Sequence, residues 1–226
     1  VFTMEHLISN FSLEQINKGG SVVNQQKLLW LNSQHIRRRF EEEDDGEGGT
    51  KRAATIAAGR EALGSFLEQA GHTGAVDPFS DAYVWAVMSL MQERVQTMPD
   101  FGPLCGYFFV APDFASPLAA EVRAKVWSDH EPEGEPGSVP SSKDVMKAIL
   151  DGVMNQPVEQ FSADSFIGIA KGVAKRNALK PGKGVLSPLR YTLTGMGVGG
   201  ALGTTAELLG RERVLARLEG ALRPGF

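Results

Sequence analysis

An all-α fold is what three features of this 226-residue sequence predict. Apolar residues recur at helical spacing in nearly every segment; over 81–98, Val84, Val87, Met88, Met91, Val95 and Met98 make one stripe. Helix-opening residues precede such segments, and glycine or proline follows them. The strand signal is confined to CGYFFV at 105–110, which reads equally well as a buried turn.

Taken in order, Ser12 and Gln15 form a capping box for a short helix over 13–18, which Gly19-Gly20 terminates. A longer helix is predicted over 25–40, carrying Leu28, Leu31, His35 and Phe40. EEEDDGEGGT at 41–50 is an acidic loop. A helix over 52–70 places Ile56, Leu63, Phe66 and Leu67 largely on one side, and Gly71 and Gly74 then mark a turn. Ser80 caps the helix over 81–98 and Pro99 stops it. Ser116-Pro117 opens another, with proline at its first position. EPEGEPGSVPSS at 131–142 is a linker too polar and proline-rich to pack. Helices follow over 143–155, 163–178, 188–194, 201–209 and 211–222, with Gly210 capping between the last two. The expected architecture is a cage of short antiparallel helices over 79–226, interrupted by the 131–142 linker. A smaller helical domain over 1–78, carrying the acidic loop, precedes it, with the division between 75 and 82.

Composition narrows the function. With 42% hydrophobic residues the chain can bury a sizeable core, and no apolar run is long enough to span a membrane. Cys105 is the only cysteine, which excludes an internal disulfide framework and a multi-cysteine zinc site. His6, His35, His72 and His130 are too far apart for metal-ligand spacing. No nucleophile pairs with a histidine, and paired carboxylates cluster in the linkers, where nothing fixes their geometry. The reading assigns this chain no catalytic residue, cofactor or metal. TMEHLISNF is not a signal or transit peptide, and a start at Val1 is expected of a fragment or processed chain. Net charge is −4, but it is uneven. Residues 1–150 carry 13 Lys+Arg against 21 Asp+Glu, whereas the last 56 residues carry 10 against 3. A basic end can steer a polyanion even on an acidic molecule.

Several residues could carry recognition. Arg94 lies one turn beyond Met91 and one before Met98, so a packed helix would hold its guanidinium. That planar fork can bind a base edge through two parallel hydrogen bonds; the plainer role is outward snorkelling or an ion pair near Glu93. Arg190 falls in the first turn of a helix opened by Ser187-Pro188, an electrostatically awkward place for a cation. It makes sense there if it and free backbone N–H groups face a phosphate or an electron-rich base. The bend TGMGVGG, with Gly195, Gly197, Gly199 and Gly200, would admit RNA close to the backbone, with Leu202 at its rim against an unstacked base. It lacks the context of a dinucleotide loop, and PGKG at 181–184 lacks Walker spacing. Trp30 and Asn32 invite a stacking role, but the indole and the Leu28–Leu31 spacing favour core packing. Arg37, Arg38 and Arg39 make a patch suited to an RNA backbone, with EEEDD alongside.

FTMEHLISNFSLEQI at 2–16, KLLWLN at 27–32, YVWAVMSLMQERVQTM at 83–98, PLRYTLTG at 188–195 and LLGRERVLARLEGAL at 208–222 resemble, in that order, the C-terminal half of bacterial-type and organellar glutamyl-tRNA synthetase. The resemblance runs over most of the chain. It implies a domain adjoining the tRNA stem followed by an anticodon-binding helix cage, acting within an enzyme that attaches glutamate to its tRNA. The family's MxxR arginine, which reads the third anticodon base, falls on Arg94, and the arginine of its PLR turn falls on Arg190. Contacts from the bend and the following helix map to Gly199 and Leu202, although GMGVGGAL is richer in glycine than the family pattern. An arginine at the MxxR position goes with the form that charges only the glutamate tRNA. No HIGH-like or KMSKS-like signature occurs, so this chain alone is expected to be inactive. ATP, Mg2+ and catalysis belong to the parent enzyme, whose upstream catalytic domain is an expected partner beside the tRNA. The resemblance further implies a monomer without membrane association. The acidic loop and linker point to a mitochondrion or other organelle; a bacterial parent would act in the cytoplasm. The alternative is a former synthetase domain retained as a protein-interaction subunit.

Overall fold

In a computed structural model, residues 2–16, 19–20, 22–41, 48–129, 140–224 and 226 are described. Among them the fold is helical without a strand. Helix α1 spans Met4–Asn10 and α2 Gln25–Glu41, with a 3-10 turn over Leu13–Gln15 between them. Helix α3 covers Gly48–Gln69, α4 Asp81–Met91, α5 Phe101–Cys105 and α6 Pro117–Val126. Helices α7, Ser142–Met154, and α8, Ala163–Arg176, precede α9, Ser187–Thr194. Helices α10, Leu202–Leu209, and α11, Arg211–Leu222, close the chain.

Local chemistry explains the boundaries. Ser80 accepts the Tyr83 N–H at the start of α4, Ser116 accepts the Ala119 N–H on α6, and Ser141 pairs reciprocally with Asp144 on α7. Each satisfies donors that a helix start leaves unpaired. Gly210, at φ 79°, ends α10 in a conformation that favours glycine and turns the chain directly into α11. Segment 105–110 is a buried helical turn: Tyr107 and Phe108 are buried in a 3-10 turn over Gly106–Phe108.

Helix α11 packs on α7, α7 on α8, α8 on α10, α6 on α9 and α3 on α5. Val145, Met146, Ile149 and Val153 of α7 meet the layer of Val214, Leu218 and Ala221 on α11. The apolar stripe of α4 is buried through Val84, Val87, Met88 and Met91. Ile36, Ile56, Leu63 and Leu67 belong to the same hydrophobic cluster as these residues.

The structure alters three expectations at the N-terminal side, and two predicted loops fall largely outside the described residues. Trp30 is 53% and Leu28 56% exposed, so the predicted core packing of the indole does not occur. The buried face of α2 starts later, with Ser33 and Ile36, and Phe40 reaches Trp85 at 4.7 Å between ring centroids. The early turns of α2 project beyond that contact. Ser12 makes no side-chain cap bond, and the predicted helix over 13–18 is a 3-10 turn ending at Gln15; residues 17–18 lie outside the described ones. Of the acidic loop, residues 42–47 lie outside the described residues, and α3 already begins at Gly48. Most of the 131–142 linker, 131–139, also lies outside them, while Ser141 and Ser142 open α7.

The basic C-terminal end is partly internal. Arg213 donates to the carbonyls of Leu208 and Phe108 and to the Tyr83 hydroxyl, the last at 2.9 Å. Arg217 donates to the carbonyls of Leu193, Tyr107 and Val110. Arg211 reaches the carbonyls of Val153 and Met154 at the end of α7. Burial first, and the neighbouring Arg213 charge second, lower the Arg217 pKa to about 10. Replacing Arg217 by methionine strands three acceptors at about 1–3 kcal/mol each. Denaturant unfolding is expected to show a loss of roughly 3 kcal/mol; a loss below about 1 kcal/mol would contradict the clamp.

Candidate nucleic-acid interface

Arg94 does not sit in a continuous helix over 81–98. Helix α4 ends at Met91, a 3-10 turn over Gln92–Arg94 follows, and Val95 is extended. Asp100 explains the break. Its Oδ2 accepts the N–H groups of Gln96 and Thr97, both at 2.8 Å, drawing that backbone into a new capping box. Two side chains of α2 fix the turn from the other side: Arg37 Nη2 donates to the Glu93 carbonyl at 3.1 Å, and Asn32 to the Gln96 carbonyl. Arg94 itself is exposed and makes no ion pair with Glu93 or any other described residue.

The free helix start expected beside Arg190 is absent. A π-helical turn over Pro181–Leu186 runs straight into α9, and the Ser187 N–H donates to the Gly182 carbonyl. What meets the Arg190 charge is a carbonyl: Nη1 donates to Gly200 O at 2.9 Å. Its Nη2 and Nε make no hydrogen bond among the described residues, which leaves one edge of the fork available. Tyr107 lies on its other side. Burial pushes the Tyr107 phenol up, the buried Cys105 adds to this, and the Arg190 charge works in the opposite direction.

The charge of Arg94 also reaches Arg190. Arg190 has its pKa lowered by burial first; Tyr107 counters this, and the Arg94 charge lowers it further. Neither guanidinium is paired with a carboxylate among the described residues, which suits both to an anionic or electron-rich ligand. Beside Arg190 opens a cavity of about 510 Å³, bordered by Asp164, Lys171, Ser187, Leu202 and Thr204. Asp164 is the one carboxylate on its lining. Among the described residues no group of three or more His, Cys, Asp or Glu could hold a metal ion, and no helix is long and apolar enough to cross a membrane.

The bend between α9 and α10 works differently from the expectation. A Cβ on Gly199 would lie 2.8 Å from Arg190 Nη1, and one on Gly200 would lie 2.5 Å from Leu90 Cγ. The close approach these glycines permit is therefore to Arg190 and to α4. Leu202 borders the cavity but is only 6% exposed, so it is a wall of the bend and not a projecting platform. Arg37 is occupied by Glu93, whereas Arg39 is exposed and Arg38 half-buried. The anchoring roles of Asn32, Arg37 and Asp100 had no periodic signal in the sequence, because each acts on backbone far from it in the chain or at a turn.

A family model for an anticodon binding domain matches residues 60–222. The chain is 31% identical over 222 residues to the glutamate–tRNA ligase of Chlorobaculum parvum, covering 96% of this chain and 38% of that protein. It is 28% identical over 222 residues to the glutamate–tRNA ligase of Thermus thermophilus, covering 98% of this chain and 40% of that one. The crystal structure of a glutamate tRNA ligase from Elizabethkingia meningosepticum superposes with a TM-score of 0.70 at 20% identity, over 98% of this chain and 36% of that one. The chain thus spans well under half the length of the relatives it matches.

Gly200→Ala forces Leu90 and the carbonyl that holds Arg190 apart. It is expected to cost about 1–3 kcal/mol in denaturant unfolding, as overpacking does. Gly197→Ala, whose Cβ would have its nearest neighbour at 3.5 Å, is expected to stay within about 0.5 kcal/mol. Equal costs at the two positions would refute the close packing of Gly200.

Proposed function

This chain belongs to the anticodon binding domain family, and we propose that it grips the anticodon end of the glutamate tRNA as part of a glutamate–tRNA ligase. The observation that carries this reading is Arg190 in the wall of an open cavity, one edge of its fork unused, with Arg94 exposed and neither arginine paired with a carboxylate among the described residues. Arg94, exposed and free, reads the third anticodon base. Arg190, half fixed by Gly200, binds a base or phosphate with its remaining edge; Gly199 and Leu202 shape its surroundings.

The catalytic steps of such an enzyme, with ATP and magnesium, are assigned to parts beyond this chain. Anticodon binding would serve them by aligning the distant acceptor end, converting remote binding energy into orientation. The helical segment up to about residue 78 is assigned to the tRNA stem. A contact with the rest of the ligase is supported by an exposed apolar surface that includes Phe2, Met4, Ile8, Phe11 and Trp30.

Binding titrations with glutamate tRNA transcripts varied at the last anticodon base test the assignment. The unaltered chain is expected to prefer one base, and Arg94→Ala to erase about 1–3 kcal/mol of that preference, the worth of a good bidentate pair. Undiminished discrimination would overturn the role of Arg94. Arg190→Ala is expected to weaken binding of every transcript, and unchanged affinity would remove it from the site.

A further inference from the structure

Between Asp164 and Glu207 the sequence carries six cationic side chains and no carboxylate. Arg190 is one; Lys171, Lys175, Arg176, Lys180 and Lys183 are the others, all exposed. None of these five makes an ion pair or side-chain hydrogen bond among the described residues. This contrasts with Arg211, Arg213 and Arg217, whose charges are spent on carbonyls inside the fold. Lys171 lines the same cavity as Arg190, and so does Gly182, which Lys180 and Lys183 flank by two residues and one.

The backbone brings these lysines together. On α8, Asp164, Gly168, Lys171 and Lys175 follow one another at helical spacing along a single exposed face. A Cβ on Gly168 would meet nothing within 4 Å, so the middle of that face is open. Helix α8 then ends in a reversal. Ala178 adopts a left-handed φ of 51°, and the Leu179 N–H returns to the Ala174 carbonyl at 2.9 Å. The reversal folds the π-helical turn of Pro181–Leu186 back against α8. Lys171 thus lines the Arg190 cavity, and Lys175, Lys180 and Lys183 are exposed on or directly before the two packed segments that border it.

The helix dipole accounts for cations in the last turn of α8, Lys175 and Arg176. It does not account for Lys171, a turn earlier, or for Lys180 and Lys183 beyond the helix. Asp164 is the acidic group on this face, and it lies at the opposite end, in the first turn of α8. A same-sign cluster without counter-charges repels itself and is relieved by a polyanion. Lysines present compact point charges that suit phosphates without reading sequence, unlike the arginine fork.

We infer that Lys171, Lys175, Lys180 and Lys183 form a phosphate track along which the RNA backbone runs as it leaves the Arg190 cavity. The inference rests on the anticodon-binding reading and adds a sequence-independent half to it: the arginines discriminate, and the lysine track holds the strand in place.

Binding of a glutamate tRNA transcript to the 226-residue chain, measured over a series of salt concentrations, tests this. In the variant carrying K171Q, K175Q, K180Q and K183Q together, the slope of log affinity against log salt is expected to flatten by about 3. That is about 0.7 for each phosphate of a single strand that the variant no longer neutralises. Affinity should fall by the same factor for every anticodon sequence, so base preference is unchanged. Lys125→Gln, at an exposed position that does not line the cavity, should leave the slope as it was. Binding by the unaltered chain with an unchanged slope in the four-lysine variant overturns the track and leaves the anticodon reading standing. Loss of base preference in that variant, with the slope intact, overturns it too. Absence of saturable RNA binding by the unaltered chain overturns both.

Discussion

Two arginines on the last helix hold the structure around the interface in register. Arg213 and Arg217 point inward and find carbonyls: those of Tyr107, Phe108 and Val110 in the buried turn, Leu193 at the end of α9, and Leu208 at the end of α10. Helix ends and irregular turns leave such acceptors without partners, and burying them unpaired costs more than a bond returns. The guanidinium groups satisfy several at once, because each offers five donors in a rigid fork. Arg217 is the more telling of the two. Leu193 lies one turn after Arg190 and Tyr107 lies beside Arg190, so a single side chain braces both neighbours of Arg190. The arrangement carries its own electrostatic penalty: burial first, and the Arg213 charge second, lower the Arg217 pKa.

That inward use of charge changes the meaning of the basic C-terminal end. Counting Lys and Arg in the sequence treats every cation alike. The fold divides them into those it consumes and those left to solvent, and the second group is concentrated on α8 and the turn after it. An overall charge of −4 is then no obstacle to binding a polyanion. Screening over about 8–10 Å at ordinary salt makes the local cluster, not the sum, the quantity that a ligand meets.

The all-helical fold was legible because long apolar stripes at helical spacing dictate it, as on α4, α7 and α8, and because serine caps mark where helices start. Arg94 and Arg190, the residues of the proposed site, stand out in the sequence through the resemblance and through their awkward positions beside apolar or helix-opening residues. Much of what the sequence hid lies in bonds from side chains to backbone, which leave no periodic trace. Asp100 breaks the apparent helix over 81–98 by capping Gln96 and Thr97, although the apolar stripe continues unbroken to Met98. Arg37 looked like a surface patch because three arginines stand in a row, yet it holds the Glu93 carbonyl. The π-helical turn before α9 erased the free helix start that the Ser-Pro signal promises. Trp30 failed as a core residue because composition speaks for an indole's preference and not for what stands opposite it.

The different anchoring of the two arginines has a physical consequence in the proposed reading. Arg190 is half-buried, tied to Gly200 and closely approached by Gly199, so part of its conformational freedom is already lost before a ligand arrives. Such a group gives affinity at little ordering cost. Arg94 is exposed and has no partner of its own, but its backbone is held on both sides by Asn32, Arg37 and Asp100. Its side chain must be ordered by the base it meets, and only a base offering two acceptors in the plane of the fork repays that cost. A mismatched base would leave donors desolvated and unpaired, which is penalised more heavily than a match is rewarded. Discrimination therefore belongs with the looser arginine, and grip with the tighter one.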